Sequence, residues 1–412
     1  MRTVLRGGLV FDGSGSAPVP ADVVFEGERI LAVGTSLDGD RAVDVAGATI
    51  LPGLFDCHVH LTMSGDLDVL RHASRPFSLR YFEAVHNMEA TLSAGITTVR
   101  DASGADLGVK EAVIRKLVRG PRMQIAITML SQTGGHGDEH LPSGACMAWQ
   151  GAYPGNPQGV VDGPEEIRRR VRELVREGAD VIKVATSGGV LSPRDKPTHA
   201  HFRDDELAML VAEATAADLA VMAHAQATEG IKAAVRAGVR SVEHGVYLDD
   251  EALSLMLDRG TWLVPTLSAP AAVLAAGRAG VQVPEVVLRK AEEVIEVHLE
   301  SFARAVDAGV RIAMGTDSGV GPHGRNLEEL PRMVSGSKMT ALDAWRATTS
   351  SSAALLGLGE QLGTVEPGKR ADFVLLDGPL DDLERLGSRV RGVWKDGEPL
   401  VGAAGAPEFV RG

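Results

Sequence analysis

The chain has 412 residues, of which 44% are hydrophobic and 24% charged, and its formal net charge is −13. That length suits one large domain with a smaller one. The acidic balance argues against nucleic acid or an anionic membrane surface as a partner, since both require a basic face. No apolar stretch approaches the roughly 18 residues of a membrane span, and the first residues lack the apolar core of a signal peptide. We therefore expect a cytoplasmic protein that binds neither nucleic acid nor membranes.

Both ends of the chain have the pattern of antiparallel β-structure. Residues 1–50 consist of β-branched runs that Gly and Asp residues separate, and the runs that begin at Ala371 and Val390 look the same. Neither end is long enough to build a secure core by itself. We therefore predict one small β domain that combines the two ends and brackets everything between them.

Between the ends, helical patterns alternate with short apolar runs. Several helical segments end at a glycine, the usual residue just past a helix, and an apolar run follows at once, as after Gly95, Gly178, Gly238 and Gly309. Helices are predicted over residues 80–94, 108–118, 164–177, 203–217, 228–237, 249–258, 284–308 and 340–356. Continuous apolar runs are typical of buried parallel strands. Such strands are predicted over residues 50–58, 96–100, 122–130, 181–186, 220–223, 241–244, 262–266 and 311–316.

Eight strands that alternate with helices predict an α/β fold, a closed (β/α)8 barrel, over residues 57–363. An open doubly wound sheet is the alternative, but the chain has no G-x-G-x-x-G turn between a strand and a helix. In a barrel the carboxyl ends of the strands carry the chemistry. Residues at those ends are therefore the candidates for a functional site.

Residues with metal-ligating or ionisable side chains end several of the predicted strands. Residues that are two apart on a strand lie on the same face of the sheet. His58 and His60, at the end of the first strand, therefore point the same way. The others are Lys183 on the fourth strand, His224 on the fifth, His244 on the sixth and Asp317 after the eighth. One such residue alone would more often be a satisfied core residue. Five strand ends in register favour convergence on one mouth of the barrel instead.

These motifs resemble those of the amidohydrolase superfamily, in the branch with a binuclear metal centre, and especially its imidazolonepropionase-related, prolidase-like (Xaa-Pro dipeptidase) group. The resemblance covers nearly the whole chain and rests on residues 51–60, the lysine strand, and residues 224–245, 315–319 and 363–377. It implies a catalytic barrel over residues 57–363. It also implies that residues 1–56 and 364–412 form a small β-sandwich domain.

The resemblance also implies a metal centre. Four histidines and one aspartate are good ligands for divalent transition metals, zinc above all, but they are too few for two ions unless another group bridges them. In the family that group is a lysine carboxylated by CO2. Carried over to this chain, Lys183 bridges two ions, with His58, His60 and Asp317 on one of them and His224 and His244 on the other. A lysine paired with a buried carboxylate is the alternative.

A hydroxide that bridges two such ions forms near neutral pH and would attack a substrate carbonyl. Asp317 would take its proton and pass it to the leaving amine. We therefore predict a hydrolase of amide bonds in dipeptides or N-acyl amino acids, including ochratoxin-type amides. Hydrolysis of cyclic amides, lactones or phosphotriesters by the same centre is the alternative. A mononuclear deaminase and a catalytically silent barrel are disfavoured, because Lys183 is present and no ligand is missing.

The loop after the third strand, residues 131–140, is rich in glycine and should hang over the barrel mouth. We predict that His136 polarises the substrate carbonyl or holds its carboxylate, and that His140 and Tyr247 also contact the substrate. A solvated loop histidine, or a further metal site, is the alternative for this loop.

A second H-x-H pair, His199 and His201, lies in a proline-broken segment ahead of a helix. We interpret that segment as a mobile flap over the barrel mouth, and not as a metal site. The expected partners of the protein are a small-molecule substrate and further copies of the same chain in a homo-oligomer.

Overall fold

The structure is a computed structural model and describes residues 1–68, 71, 74–138, 140, 152–192 and 194–402. Residues 403–412, with which the predicted terminal domain ends, lie outside the described part. In chain order the strands are β1 (Arg2–Val10), β2 (Val19–Glu26), β3 (Arg29–Gly34), β4 (Arg41–Asp44), β5 (Ala48–Pro52), β6 (Leu54–Val59), β7 (Ile96–Asp101), β8 (Arg122–Ile125), β9 (Met129–Leu130), β10 (Val181–Ala185), β11 (Ala220–Ala225), β12 (Ser241–His244), β13 (Trp262–Val264), β14 (Arg311–Ile312), β15 (Phe373–Asp377), β16 (Val390–Lys395) and β17 (Glu398–Val401).

The strands β6 to β14 form the barrel. They pair in parallel in two runs, β6-β7-β8 and β9 through β14. The ring closes on one side where Cys57 N donates to Met314 O at 2.9 Å, and on the other where Asp180 N donates to Ile125 O at 2.9 Å. Buried apolar strands surrounded by helices are what the continuous apolar runs in the sequence predict.

Two predicted strands are each divided in the structure. The predicted strand 50–58 changes sheet at Gly53, where an added Cβ would lie 2.2 Å from Thr97 Oγ1, so that β5 belongs to the terminal sheet and β6 to the barrel. The predicted strand 122–130 breaks at Ile127, which has a φ of 67°. A β-branched residue with positive φ cannot continue a strand, and β8 and β9 therefore pair with different neighbours.

The two ends of the chain form one sheet in the order β17-β16-β15-β5-β1-β2-β3, with β4 also paired to β1. The ends meet where β5 runs antiparallel to β15, with Leu51 opposite Val374. Phe25, Phe373 and Trp394 belong to the separate buried core of this domain. The predicted fold, a (β/α)8 barrel with a small β-sandwich built from both termini, is confirmed, while the domain boundaries at residues 56 and 364 stay a prediction.

The helices are α1 (Leu79–Ser93), α2 (Leu107–Ile114), α3 (Pro164–Arg176), α4 (Asp204–Ala216), α5 (Thr228–Ala237), α6 (Asp250–Arg259), α7 (Ser268–Arg278), α8 (Glu285–Ala308), α9 (Glu329–Val334), α10 (Ala341–Arg346), α11 (Ser352–Leu355) and α12 (Leu386–Arg389), with a 3₁₀ turn at Asn326–Glu328 and a π-helical stretch at Ala347–Ser351. The predicted helix 340–356 is thus interrupted. Its hydroxyls bond backbone carbonyls, Thr349 to Trp345 at 2.7 Å and Ser352 to Ala347 at 2.6 Å, and such bonds compete with the regular helical pattern.

Helix α7 was not predicted, and its first turn explains why. No side chain of its own caps the helix. Instead Glu329, at the start of α9, accepts hydrogen bonds from Leu267 N at 2.6 Å and Ser268 N at 2.8 Å. The capping residue lies 62 and 61 positions away from the two residues that it caps. The local sequence signals of a helix start therefore do not reveal it. Among the described helices we find none with the length and apolar character of a membrane span.

Candidate metal centre and substrate pocket

The predicted ligands meet at the carboxyl ends of the barrel strands, where they line one cavity of about 280 Å³. They are His58 at the end of β6, His60 just beyond it, Lys183 in β10, His224 in β11, His244 at the end of β12 and Asp317 in the loop after β14. All of them are buried. The barrel topology thus brings together residues that are up to 259 positions apart in the chain (317 − 58).

The donor atoms of this cluster are close enough to share ions. One ligand atom each from His58, His244 and Asp317 lie within 4.8 Å of one another. Asp317 Oδ1 lies 3.1 Å from His60 Nε2 and 3.5 Å from His58 Nε2. The ring centroids of His224 and His244 are 4.5 Å apart. Imidazole nitrogens and a carboxylate gathered in this way are the donor set that zinc and similar divalent ions prefer.

The outer nitrogen of each ring has a partner of its own. His58 Nδ1 donates to Glu243 Oε2 at 2.8 Å, His60 Nδ1 donates to Ser103 O at 3.0 Å, and His244 Nδ1 lies 2.6 Å from Thr266 Oγ1. His224 differs, because its Nε2 donates to Gly188 O at 3.1 Å. These contacts leave Nε2 free to bind in the first three rings and Nδ1 in the fourth. Metal-binding histidines are typically oriented by such outer hydrogen bonds, so the residues fit a metal centre.

Lys183 lies at the centre of the cluster, and no carboxylate of the described residues forms an ion pair with it. Its Nζ is 3.3 Å from His58 Nε2. Burial lowers the pKa of Lys183 to about 8, and burial together with the nearby lysine lowers the pKa of His58 to about 4. Burial raises the pKa of Asp317, but His58 and His60 outweigh it and hold that pKa well below its usual range. Burial lowers the pKa of His60, but the neighbouring Asp317 outweighs burial and raises that pKa above its ordinary value. Near neutral pH the cluster therefore offers a neutral His58 and an Asp317 carboxylate.

Two of these residues have a backbone conformation that is rare outside glycine. His244 has a φ of 71° and Asp317 a φ of 60°. The loop that carries Asp317 is anchored by Asp56, which accepts hydrogen bonds from Thr316 Oγ1 at 2.6 Å and Asn326 Nδ2 at 2.8 Å. Strained residues that the surroundings hold in place are concentrated at functional sites, and this strain is consistent with such a role.

Sequence reasoning missed Glu243 and Arg100. Glu243 contacts the outer nitrogen of His58, and Arg100 binds Glu243. Glu243 Oε1 accepts hydrogen bonds from Arg100 Nη2 at 2.8 Å and Ser241 Oγ at 2.5 Å, while Oε2 accepts one from His58. Burial would raise the pKa of Glu243, but Arg100 and His58 lower it to about 2. The signal was a charged residue inside each of two apolar strands, and only the fold shows that the two are neighbours.

We expect a Glu243→Gln variant to bind its metal about 10–100-fold more weakly, because partners of ligating histidines have effects of that size. The amide can no longer hold His58 and Arg100 together. Titration of the metal-free protein with Zn²⁺ measures the change. Glu213→Gln is the control, since Glu213 pairs with Arg172 on the outer helices. An unchanged Kd in the Glu243 variant would contradict the assigned role.

The structure brings only one of the three predicted substrate contacts to the cavity wall. His136 lines the cavity, with its ring stacked on His224 at a centroid distance of 4.1 Å. His140 is exposed, and Tyr247 is half-buried beside the cavity residue Val246. Neither is among the described residues that line the cavity, so their contact with substrate stays a prediction.

The two histidines of the second H-x-H pair have different environments. His201 is buried and His199 exposed, which gives no support to a shared metal site. The predicted flap is joined at its base, where Gly188 N donates to His199 O at 2.9 Å and His201 N donates to Thr186 O at 2.8 Å. Its mobility stays a prediction.

Gly189 passes directly over two imidazole rings of the site. An added Cβ would lie 2.3 Å from His136 Cε1 and 2.9 Å from His224 Cε1. We expect Gly189→Ala to displace one of these rings and to lower kcat/KM by about 100-fold, a typical effect of misplacing a group by about 1 Å. Steady-state kinetics and the melting temperature measure it. Gly359→Ala, where the added Cβ meets nothing within 4 Å, is the control, and equal kinetics in both variants would contradict this expectation.

The remaining cavity wall is mostly aliphatic. Val273 of α7 and Val287 and Val294 of α8 belong to a buried apolar cluster that continues the wall of the cavity. Among the described lining residues, Lys183 is the only lysine or arginine. Such a lining favours a large apolar group over a second charged group in a bound molecule.

The sequence pattern of the amidohydrolase family matches residues 49–403. Ochratoxinase from Aspergillus niger is 34% identical over 98% of this chain and 88% of that protein, and its crystal structure superimposes with a TM-score of 0.84 at 32% identity, over 97% of this chain and 95% of that one. Imidazolonepropionase from Rhizorhabdus wittichii is 28% identical over 91% of this chain and 93% of that protein. The crystal structure of a Xaa-Pro dipeptidase with bound methionine has a TM-score of 0.88 at 32% identity and covers 97% of this chain and all of that one (100%).

These findings confirm the superfamily and the hydrolysis of amide carbon–nitrogen bonds predicted from the motifs. The matched span includes all six residues of the cluster and the strands that carry them. This chain therefore belongs to the amidohydrolase family and is a hydrolase of amide bonds in small molecules.

Proposed function

We propose that the chain cleaves the amide bond of N-acyl amino acids or dipeptides that carry a large apolar group. The observation that carries the proposal is the buried cluster of four histidines, one lysine and one aspartate beside an aliphatic cavity of about 280 Å³. The names of the relatives support it, since ochratoxinase and Xaa-Pro dipeptidase are both named for substrates with an amide bond to an amino acid.

We propose that the cluster holds two divalent ions, most favourably zinc, bridged by a carboxylated Lys183. Burial lowers the pKa of Lys183 to about 8. Part of the lysine is therefore an uncharged amine near neutral pH, and that is the form that reacts with CO2. Among the described residues, no carboxylate lies within ion-pair distance of Nζ, which argues against the alternative of a simple ion pair. When bound, the ions supply Lewis acidity and lower the pKa of a water molecule.

The side chains of the chain then have separate roles in the reaction. The Asp317 carboxylate takes the proton of the attacking water and passes it to the leaving nitrogen. His136, next to His224 at the cavity wall, holds the substrate carboxylate or polarises the carbonyl oxygen. The aliphatic wall excludes water and binds the apolar group.

A substrate panel tests this function. With the Zn²⁺-loaded protein we expect N-octanoyl-L-phenylalanine and ochratoxin A to be cleaved with a kcat/KM about 10–100-fold above N-acetyl-L-alanine, because burial of one large apolar side chain contributes about 1.5–3 kcal/mol. Simple lactones and phosphotriesters should be poorer substrates. Cleavage of these esters without cleavage of any N-acyl amino acid or dipeptide would contradict the proposal.

A variant of the cavity wall tests whether that wall is the source of the substrate preference. Val287→Asp introduces a carboxylate into the apolar wall and should remove the preference for the octanoyl over the acetyl substrate. Val175→Asp, on the exposed face of α3, is the control that should preserve it. The predicted homo-oligomer and the cytoplasmic location stay predictions, and light scattering on the purified protein tests the first.

A further inference from the structure

The buried Lys290 binds a segment that passes over the site. We call residues 188–195, without residue 193, the strap. Lys290 extends from α8 to the strap and is only 5% exposed. Its Nζ donates to Gly189 O at 3.0 Å, Ser192 O at 2.7 Å and Asp195 Oδ1 at 3.3 Å. All three ammonium hydrogens therefore have acceptors, and all three acceptors belong to the strap.

The strap in turn holds His136. Ser192 Oγ donates a hydrogen bond to Asp195 Oδ1 and lies 3.0 Å from His136 Nδ1. A carboxylate only accepts, so the Ser192 hydroxyl gives its hydrogen to Asp195, and its oxygen accepts one from the ring. Asp195 Oδ2 also lies 3.5 Å from His136 Nδ1. Nδ1 therefore carries the hydrogen, and Nε2 is the nitrogen left for the cavity.

We propose that Asp195 and Lys290 are positioning residues that, through Ser192, keep the His136 ring parallel to His224 with Nε2 presented to the substrate. The rings of His136 and His224 are stacked at an angle of 16°, and a ring without its Nδ1 partners is free to rotate away. This inference rests on the proposed role of His136 at the substrate.

The same lysine connects His136 to the apolar wall. Val287, Lys290 and Val294 lie at positions i, i+3 and i+7 of α8, which is one face of a helix. The two valines line the cavity and the lysine binds the strap. The helix that forms the binding wall therefore also sets the position of His136.

A double-mutant cycle tests the proposal on the full-length, Zn²⁺-loaded protein. The variants are Asp195→Asn, His136→Ala and the two combined, with kcat and KM measured on N-octanoyl-L-phenylalanine. We expect Asp195→Asn to lower kcat/KM about 10–100-fold, as outer partners of site histidines do. In the His136→Ala background the same change should cost less than about threefold, because a residue that acts through His136 has nothing left to position. Bound zinc should stay at the wild-type content in each variant.

Two further variants separate positioning from folding. Ser192→Ala removes only the bridging hydroxyl and should reproduce most of the loss. Lys290→Met should do so as well, whereas Lys232→Met should leave kcat and KM unchanged; Lys232 is equally buried, but its ion pairs with Asp249 and Glu251 lie on the outer helices.

The outcomes are distinct. An equal loss for Asp195→Asn in both backgrounds, or no loss in the wild-type background, would overturn the positioning role. A silent His136→Ala variant would overturn that role together with the role of His136. Failure of the proposed function would be seen separately, as a wild-type protein that cleaves no substrate of the panel.

Discussion

A Lys183→Ala variant is expected to lose its metal and to hydrolyse amides about a thousandfold more slowly, or worse, because bound metal ions contribute several kcal/mol to such reactions. Lys183 lies among the ligand atoms, with Nζ 3.3 Å from His58 Nε2, and a carboxylate on that nitrogen would supply the bridge that we propose. Elemental analysis of protein prepared with bicarbonate and without chelators measures the metal, and kcat/KM measures the activity.

The variant also offers a test of the carbamate. Truncation at Cβ leaves space beside His58 that acetate or propionate can fill, and partial recovery of metal content with such an acid would support a bridging carboxylate. Lys110→Ala is the control, since Lys110 pairs with Asp180 away from the cavity. Wild-type metal content in the Lys183 variant would refute the bridge.

An Asp317→Asn variant is expected to keep the fold but to lose about 10²–10⁴-fold in kcat, the usual contribution of a positioned acid–base group. The amide retains the shape and one oxygen, so part of the metal affinity should survive, but it cannot take up a proton. We therefore expect kcat to fall much further than the zinc content.

Asp249→Asn is the matched control for this change. Asp249 caps α6 by accepting a hydrogen bond from Ala252 N at 2.8 Å, and asparagine is an equally good cap. The change weakens the ion pair with Lys232, which keeps Glu251 as a partner, so some stability is lost but kcat and zinc content should be preserved. If Asp317→Asn retained kcat within about tenfold of the wild type, with the metal fully bound, another group would have to move the proton.

The candidate ligands could be found in the sequence because each one lies within an apolar run or close to its end. In a parallel barrel the chain direction alone decides which end of a strand faces the mouth, so His58, Lys183, His224, His244 and Asp317 could be assigned to one site without coordinates. The fold class followed from the same alternation of helices and apolar runs. Helix bounds were close where a glycine ends the helix, as at Gly238 and Gly309.

Local patterns were insufficient where the deciding partner is distant in the chain. The cap of α7 comes from Glu329, and the close approach that requires a glycine at position 53, where the strand changes sheet, is to Thr97. A reading of neighbouring residues contains neither partner.

From periodicity and from the order of residues along each strand, the sequence predicted the barrel, the terminal β domain and the residues gathered at the mouth. The family followed from the resemblance of its motifs to those of known proteins. The tertiary structure alone decided how the residues are oriented. Glu243 holds His58 across 185 positions of the chain, and Lys290 contacts Asp195 across 95. Such hydrogen bonds form only where donor and acceptor are positioned to within a few tenths of an ångström. That precision comes from the packed core, which brings distant strands and helices together.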